Sequence, residues 1–154
     1  MKRGKFFWQL VLVFVVALVG YAAVFGWIEH RRVVKGPWVV TFTGKNETPA
    51  IILNQGALGI REVRVLFQDA TTQSNRAQTR EFSRARLVPF EVPFGQCVFQ
   101  DTTFLPGTVA FEMFGHQIQL MPRVLTIDKT ERPWRSGETI ELGKLPATTQ
   151  SPSH

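Results

Sequence analysis

Residues 108–120, TVAFEMFGHQIQL, place large apolar side chains at every second position on both sides of a Gly-His pair: Val109, Phe111 and Met113 before it, and Ile118 and Leu120 after it. Alternation with a period of two is typical of β-strands that bury one face. Glycine at the first central position suits a two-residue type II′ turn, so we predict a hairpin that turns at Gly115-His116. The predicted register pairs Phe114 with Gln117, Met113 with Ile118, Phe111 with Leu120 and Ala110 with Met121. The apolar pairs should form one buried face, with His116 at a solvated tip.

Similar short patterns lie on both sides of this hairpin. In residues 60–68, Val63, Val65 and Phe67 alternate with polar side chains, which indicates a half-buried antiparallel strand. Further strand candidates are residues 38–43, 50–53, 87–92, 96–100, 124–128 and 139–142. Short strands separated by Pro, Gly, Asn and Asp are typical of sandwiches. We therefore predict an all-β fold, an antiparallel β-sandwich of Ig-like or prealbumin-like type, over residues 38–145. The polar residues 146–154 should be a disordered tail.

Residues 71–86 do not follow the strand pattern, because apolar side chains are scarce there. Arg76, Arg80 and Arg84 are four residues apart, so a helix would align them on one face, whereas a long polar loop is an equal alternative. The three arginines are candidates for contact with anionic lipid headgroups or with an acidic protein. The simpler interpretation is an ordinary solvated surface.

Residues 6–28 contain no charged side chain, and 23 helical residues span about 35 Å, more than the hydrocarbon core of a bilayer. We predict a single transmembrane helix here, after a basic tail at residues 1–5 and before a linker at residues 29–37. A signal peptide cleaved near Gly20-Tyr21-Ala22 is the competing interpretation. The apolar run exceeds the usual 7–15 residues of a signal peptide, so an uncleaved anchor fits better. The basic tail favours a cytoplasmic amino terminus, which places the sandwich outside the cytoplasm, in the periplasm if the protein is bacterial.

The net charge of +6 belongs mostly to the flanks of this apolar segment. Residues 36–154 carry 12 basic and 11 acidic side chains, so the predicted sandwich is nearly neutral. A nucleic-acid partner would require clustered basic residues in the folded domain, and we expect none. The lipid bilayer is the expected partner of the helix. Within the helix, Ala22 and Gly26 form a small-xxx-small pair that would let a second membrane helix approach closely.

No set of residues in the sequence predicts catalysis. Nucleophilic catalysis commonly needs a histidine near the nucleophile, and the three histidines lie at the membrane boundary, at a predicted hairpin tip and at the carboxyl terminus. We therefore expect no enzymatic activity and no cofactor. For a metal such as copper, Cys97 and His116 are the two ligands worth testing. No C-x-x-C motif supports such a site, and a single cysteine is more often a small buried residue.

Binding is the function that remains. We expect an accessory, assembly or structural subunit that contacts a membrane-protein partner, with Trp134 as either a cover of the core or an exposed interface anchor. Two alternatives stay open. A membrane-tethered copper carrier would need Cys97 and His116 close together in the fold. A module for a small ligand, a lipid or a carbohydrate would need a concave pocket lined by aromatic side chains.

Overall fold

The computed structural model describes residues 3–73 and 76–143. An amino-terminal helix, α1, spans Arg3–Val34. Its segment Gly4–Arg31 has a mean hydropathy of 2.5, and α1 is the one helix of the described residues that is long and apolar enough to cross a membrane. Helical structure therefore continues to Val34, through most of the region that the sequence analysis assigned to a linker. The predicted tail at residues 146–154 lies outside the described residues.

The remainder of the chain, from Lys35 onward, is a separate compact unit made of short strands. The strands are β1 Val39–Lys45, β2 Thr48–Gln55, β3 Ile60–Phe67, β4 Gln78–Glu81, β5 Phe90–Val92, β6 Gly95–Asp101, β7 Thr108–Met113, β8 His116–Leu120, β9 Val124–Ile127, β10 Thr130–Pro133 and β11 Thr139–Leu142. A 3₁₀ turn at Gly56–Leu58 connects β2 to β3. The mostly β composition agrees with the sequence analysis.

The strands form two sheets. The first sheet has the order β11-β3-β2-β1-β4, and the second has the order β10-β9-β8-β7-β6-β5. All neighbouring pairs are antiparallel except β11 and β3, which are parallel. The predicted sandwich is confirmed as a two-sheet architecture, while its Ig-like or prealbumin-like type stays a prediction.

The core lies between the inner faces of the two sheets, as period-two alternation requires. On β3, Val63, Val65 and Phe67 are buried, which confirms the predicted face of that strand. Phe42 of β1 meets Phe111 of β7 edge to face, with ring centroids 6.3 Å apart, so aromatic contacts join the two sheets.

Two opposite ends of the sandwich are defined by the strand register. The entry end is where the chain enters: Val39 pairs with Asn54 and with Glu81, and the Trp38 indole donates to the Gly107 carbonyl oxygen at 3.0 Å. It comprises residues 35–38, 56–59, 82–89, 102–107, 121–123 and 134–138. The far end comprises the turns and loops at the other strand ends. These are residues 46–47, 68–73, 76–77, 93–94, 114–115 and 128–129.

The β7–β8 hairpin corrects the predicted register. Met113 pairs with His116, so the central turn residues are Phe114 and Gly115 rather than Gly115 and His116. Both have positive φ, 51° and 82°, as in a type I′ turn, which matches the right-handed twist of the strands. The pairing differs from the prediction by two residues, an even number, so Phe111, Met113, Ile118 and Leu120 still point inward. His116 is the exception to the prediction, since it joins the buried face.

The segment 71–86 forms no helix within its described residues. Instead, residues 78–81 form β4, which pairs with β1 at the edge of the first sheet. Neither β4 nor β10 was predicted. All the side chains of both strands are exposed, so their sequences lack the apolar alternation by which a strand is recognised.

Candidate functional site

The far end contains an open cavity of about 690 Å³ between the ends of the two sheets. Its apolar walls come from β3, β11 and the β7–β8 turn, and polar groups lie among them. The lining residues are Phe67, Asp69, Ala70, Thr71, Phe114, Gly115, His116, Leu142 and Gly143. Small-molecule sites typically have volumes of about 300–1,000 Å³ and combine apolar walls with a few polar groups. The cavity has the size and composition of a binding site.

Phe114 is the aromatic side chain that connects the cavity to the rest of the far end. Its ring lies 5.1 Å from Phe67 and 5.8 Å from Phe94, measured between centroids. Phe94 in turn contacts Phe42 at 6.1 Å. The Phe114 side chain is 41 % exposed, so one of its surfaces is free to contact another molecule. Phe114 and Phe94 thus link two buried core rings, Phe67 and Phe42, at this end.

The backbone of both turn phenylalanines is left-handed. Phe114 has a φ of 51° at a position where type I′ turns favour asparagine. Phe94 has a φ of 73° after Pro93, where a turn of this kind favours glycine. Left-handed backbone is uncommon for a bulky residue and costs about 1–3 kcal/mol. Two large aromatic residues therefore occupy neighbouring turns in which small residues are the stable choice.

His116 lies beside the cavity and is held by Asp128. Its Nδ1 is 2.6 Å from the Asp128 Oδ2, and the other carboxylate oxygen accepts from the Gln117 backbone N–H at 2.9 Å. An ionised carboxylate only accepts, so the imidazole donates through Nδ1 and its Nε2 is the remaining ring nitrogen. His116 also lines an adjoining cavity of about 600 Å³, together with Glu112, Phe114, Asp128 and Lys129. The side chain predicted at a solvated tip is in fact only 6 % exposed and forms part of two cavity walls.

Cys97 lies in the core face of β6 and is fully buried. Its thiol donates to the Phe99 carbonyl oxygen at 3.4 Å, and burial raises its pKa to about 11. A protonated thiol is a poor metal ligand. β6 and β8, which carry Cys97 and His116, are separated by β7, so the two residues lie on strands that are not neighbours in the sheet. Within residues 3–73 and 76–143, no three His, Cys, Asp or Glu side chains are grouped to hold a metal ion.

The three candidate arginines lie along one edge of the sandwich, where β4 and β5 end the two sheets. Arg76 and Arg80 line a groove of about 420 Å³ that also contains Glu91. Arg80 and Arg84 line a second groove, of about 410 Å³, together with Arg86. Arg80 is thus common to both grooves, and the three side chains share an edge without forming a helix face.

Trp134 covers the core at the entry end. Its ring lies 5.1 Å from that of Trp38, and its indole N–H donates to the Met121 carbonyl oxygen at 2.8 Å. This is the first of the two predicted roles. In α1, Ala22 and Gly26 are both exposed and lie one turn apart on the same side of the helix. A methyl group added at Gly26 would meet no atom within 4 Å, so this face is open.

Comparison with known proteins identifies no relative of this chain. No family model matches the chain, and no curated protein or solved structure is significantly similar to it. The candidate site consequently depends on the geometry described above.

Sequence reasoning missed Phe94, Phe114 and Asp128 as functional candidates. A local signal exists for the first two, since Pro93-Phe94 and Phe114-Gly115 resemble the turn pairs Pro-Gly and Asn-Gly with phenylalanine as the substituted member. No local signal exists for Asp128, because its contact with His116 depends on the pairing of β8 with β9. Asp128 can be identified as a candidate only when the pairing of β8 with β9 is known.

Proposed function

We propose that this protein is a membrane-anchored binding protein, an accessory subunit whose sandwich recruits another protein by taking one of its apolar side chains into the far-end cavity. Helix α1 supplies the anchor. The observation that carries the proposal is a pair of left-handed phenylalanines at the far end: Phe114 lines the open cavity, and Phe94 packs against Phe114 with ring centroids 5.8 Å apart.

Backbone strain is the first support. A residue whose backbone conformation costs stability, and whose side chain is also half exposed, contributes little to the stability of the fold. Backbone outliers of this kind cluster at ligand sites. Asn46 and Glu47 show what an ordinary far-end turn contains, since they form the β1–β2 turn with two polar side chains at positive φ. In the β7–β8 turn a phenylalanine takes the corresponding position. We infer that binding, rather than folding, accounts for its presence.

The chemistry of the rim indicates which partner segment fits. Aromatic walls at Phe67 and Phe114 favour an apolar or aromatic side chain, which would bury its surface there. Carboxylates of Asp69, Glu112 and Asp128 lie among the residues that line the two adjoining cavities, with Lys129 as the one lysine or arginine side chain among the described lining residues. A basic residue next to the apolar anchor of the partner would complement this charge.

The proposal also covers the side of the membrane on which the sandwich lies and the chemistry of the site. The basic amino-terminal tail supports a sandwich located outside the cytoplasm. The proposal assigns no reaction to the site, since the His116 Nδ1 is engaged by Asp128. It assigns no metal either, because the Cys97 thiol is buried and keeps its proton.

A matched pair of variants tests the proposal. The native chain and Phe114→Asn are extracted from their membranes in mild detergent, and co-purifying proteins are quantified by mass spectrometry. We expect one protein at about equal molar amount with the native chain and at least tenfold less with Phe114→Asn. Asparagine suits the left-handed turn, so we expect the free energy of unfolding to stay within about 1 kcal/mol of the native value. Reduced recovery would then reflect binding and not unfolding.

Leu87→Asn serves as the control, because Leu87 is an exposed apolar residue at the entry end. It should leave the recovered partner unchanged. Equal recovery with Phe114→Asn and the native chain would overturn the proposal, as would a chain that is extracted alone.

A small apolar ligand is the second candidate, favoured by the cavity volume of about 690 Å³. Native mass spectrometry of the extracted chain distinguishes the two. A bound small molecule that is lost with Phe114→Asn would support this candidate, and a bound protein would support the first.

A further inference from the structure

We propose that the entry end of the sandwich is a second lipid-binding surface, which contacts the anionic phosphate headgroups of the bilayer that α1 enters. This inference rests on the proposed membrane insertion of α1. It concerns different residues from the far-end cavity.

The entry-end loops have a strongly positive charge. Their described residues include five basic side chains and one acidic side chain: Lys35, Arg84, Arg86, Arg123 and Arg135, with Glu138. All five basic residues are exposed. In the part of the chain that the structure describes, none of them forms an ion pair within 4.0 Å. Charged residues in the last two positions of the strands at this end balance one another: Arg61, Arg80 and Arg132 against Glu81, Glu91 and Asp101.

The far-end loops do not share this character. Their described residues include Glu47, Asp69 and Asp128 against Arg76 and Lys129. The positive charge is therefore a property of one end of the domain and not of loops in general.

Exposed apolar side chains lie among the entry-end arginines. Leu87 is 94 % exposed and Phe104 is 70 % exposed, and Val88 follows Leu87 in the same loop. Exposed apolar surface that is rimmed by polar residues can mark a site of contact with a protein or a membrane. Apolar side chains next to basic ones are typical of surfaces that lie in the headgroup region, where both kinds of side chain find partners.

The chain enters the sandwich at this end, three residues after α1. Only Lys35, Gly36 and Pro37 lie between the end of α1 at Val34 and the buried Trp38. Four residue steps reach at most about 14 Å. The linker is also held to the sandwich, since the Gln55 side-chain amide donates to the carbonyl oxygens of Gly36 and Pro37, each at 3.0 Å. Electrostatic attraction to an anionic surface acts over about 8–10 Å at physiological salt, and a tether this short allows the entry end to come within that range.

The two loops that carry Leu87 and Phe104 are each held to the sandwich by hydrogen bonds. The Gln100 side-chain amide donates to the Arg84 carbonyl oxygen at 2.8 Å. The Trp38 indole donates to Gly107, which follows Phe104 in the second loop. A backbone hydrogen bond from Thr103 to the Asp101 carboxylate, at 2.9 Å, shapes the start of that loop. The surface is thus formed before lipid contact.

An acidic protein is the other partner with suitable charge. The lipid is favoured because the basic residues are distributed over four connections of the entry end, residues 35–38, 82–89, 121–123 and 134–138. A flat anionic surface can contact all four connections at once.

Hydrogen exchange of the full chain in lipid nanodiscs tests the proposal. The chain is incorporated into discs of phosphatidylcholine alone, and into discs with 30 % phosphatidylglycerol. Deuterium uptake is then compared for residues 82–89 and 102–107, and for residues 114–116 and 128–130 as the far-end reference. We expect uptake at the entry end to be at least fivefold slower in the anionic discs, with no change at the far end. Added 0.5 M NaCl should restore fast uptake, because salt screens the attraction.

Two double variants make the test specific. Arg84→Gln with Arg86→Gln should remove most of the protection, whereas Arg76→Gln with Lys129→Gln at the far end should not. Entry-end uptake that is the same in both kinds of disc would overturn the proposal. Protection found only in native membranes would also overturn it and would indicate a protein partner instead. Failure of the chain to co-elute with the discs would instead contradict the anchor itself.

Discussion

The two ends of this sandwich are built from the same strands and differ in how they are closed. At the entry end, Trp38 and Trp134 stack at 5.1 Å, and each indole N–H finds a carbonyl oxygen. At the far end, Phe114 lies beside an open cavity and keeps 41 % of its surface exposed. A closed end contributes stability, and an open end with strained aromatic residues is available for binding.

Backbone conformation separates the ends in the same way. Among the described residues, seven that are not glycine have positive φ, and Glu62 is the single one outside the far end. The other six are Asn46, Glu47, Phe94, Phe114, Asp128 and Lys129. Three two-residue hairpins account for most of them, since a type I′ turn needs positive φ at both central positions. Tight turns at the far end leave few atoms to cover the core, which explains why a cavity opens there.

Truncation of Trp38 should have the largest effect. Trp38 is fully buried, so Trp38→Ala removes its contact with Trp134 and its hydrogen bond to Gly107. We expect a loss of about 3–5 kcal/mol in the free energy of unfolding. Urea unfolding of the full chain in detergent micelles, followed by circular dichroism at the β-sheet minimum, measures it. Trp27→Ala in α1 is the control and should leave the transition of the sandwich unchanged. A loss below about 1 kcal/mol for Trp38→Ala would show that the entry end is not closed as described.

Removal of the Asp128 carboxylate should have an intermediate effect. Asp128→Ala leaves the buried His116 imidazole and the Gln117 N–H without their acceptor. Unsatisfied buried groups cost about 1–3 kcal/mol each, so we expect a loss in this range by thermal or urea unfolding. Asp128→Asn retains an acceptor and tolerates the left-handed backbone, and it should cost less. If both variants lost the same stability, the hydrogen bonds would not be the cause.

The smallest effect is expected at Cys97. Its rate of alkylation tests whether either end of the sandwich admits solvent to the core. Burial raises the pKa of the Cys97 thiol to about 11, against an ordinary 9.0, which leaves roughly 100-fold less thiolate at pH 8. Alkylation by iodoacetamide should therefore be at least roughly 100-fold slower in the folded chain than in urea. The unfolded thiol ionises at a lower pH than the folded one, so the free energy of unfolding should fall as pH rises from about 9 to 11. Fast alkylation of the native chain would show that the cavity extends into the core.

The sequence predicted the parts of the fold that depend on local alternation. Val63, Val65 and Phe67 have the predicted buried face, and the inward residues of β7 and β8 survive an error of two residues in their register. The exposed strands β4 and β10 carry no alternation, and the parallel pairing of β11 with β3 depends on contacts distant in the chain. The candidate site was missed for the same reason. His116 and Asp128 are twelve residues apart and meet only because β8 pairs with β9.

Photo-crosslinking at both ends of one molecule tests the central claim directly. p-Benzoylphenylalanine is placed either at position 114 or at position 87 of the full chain in its native membrane, and the adducts are identified by mass spectrometry after irradiation. The account predicts a protein adduct at position 114 and lipid adducts at position 87. A protein adduct at position 87 together with none at position 114 would contradict it.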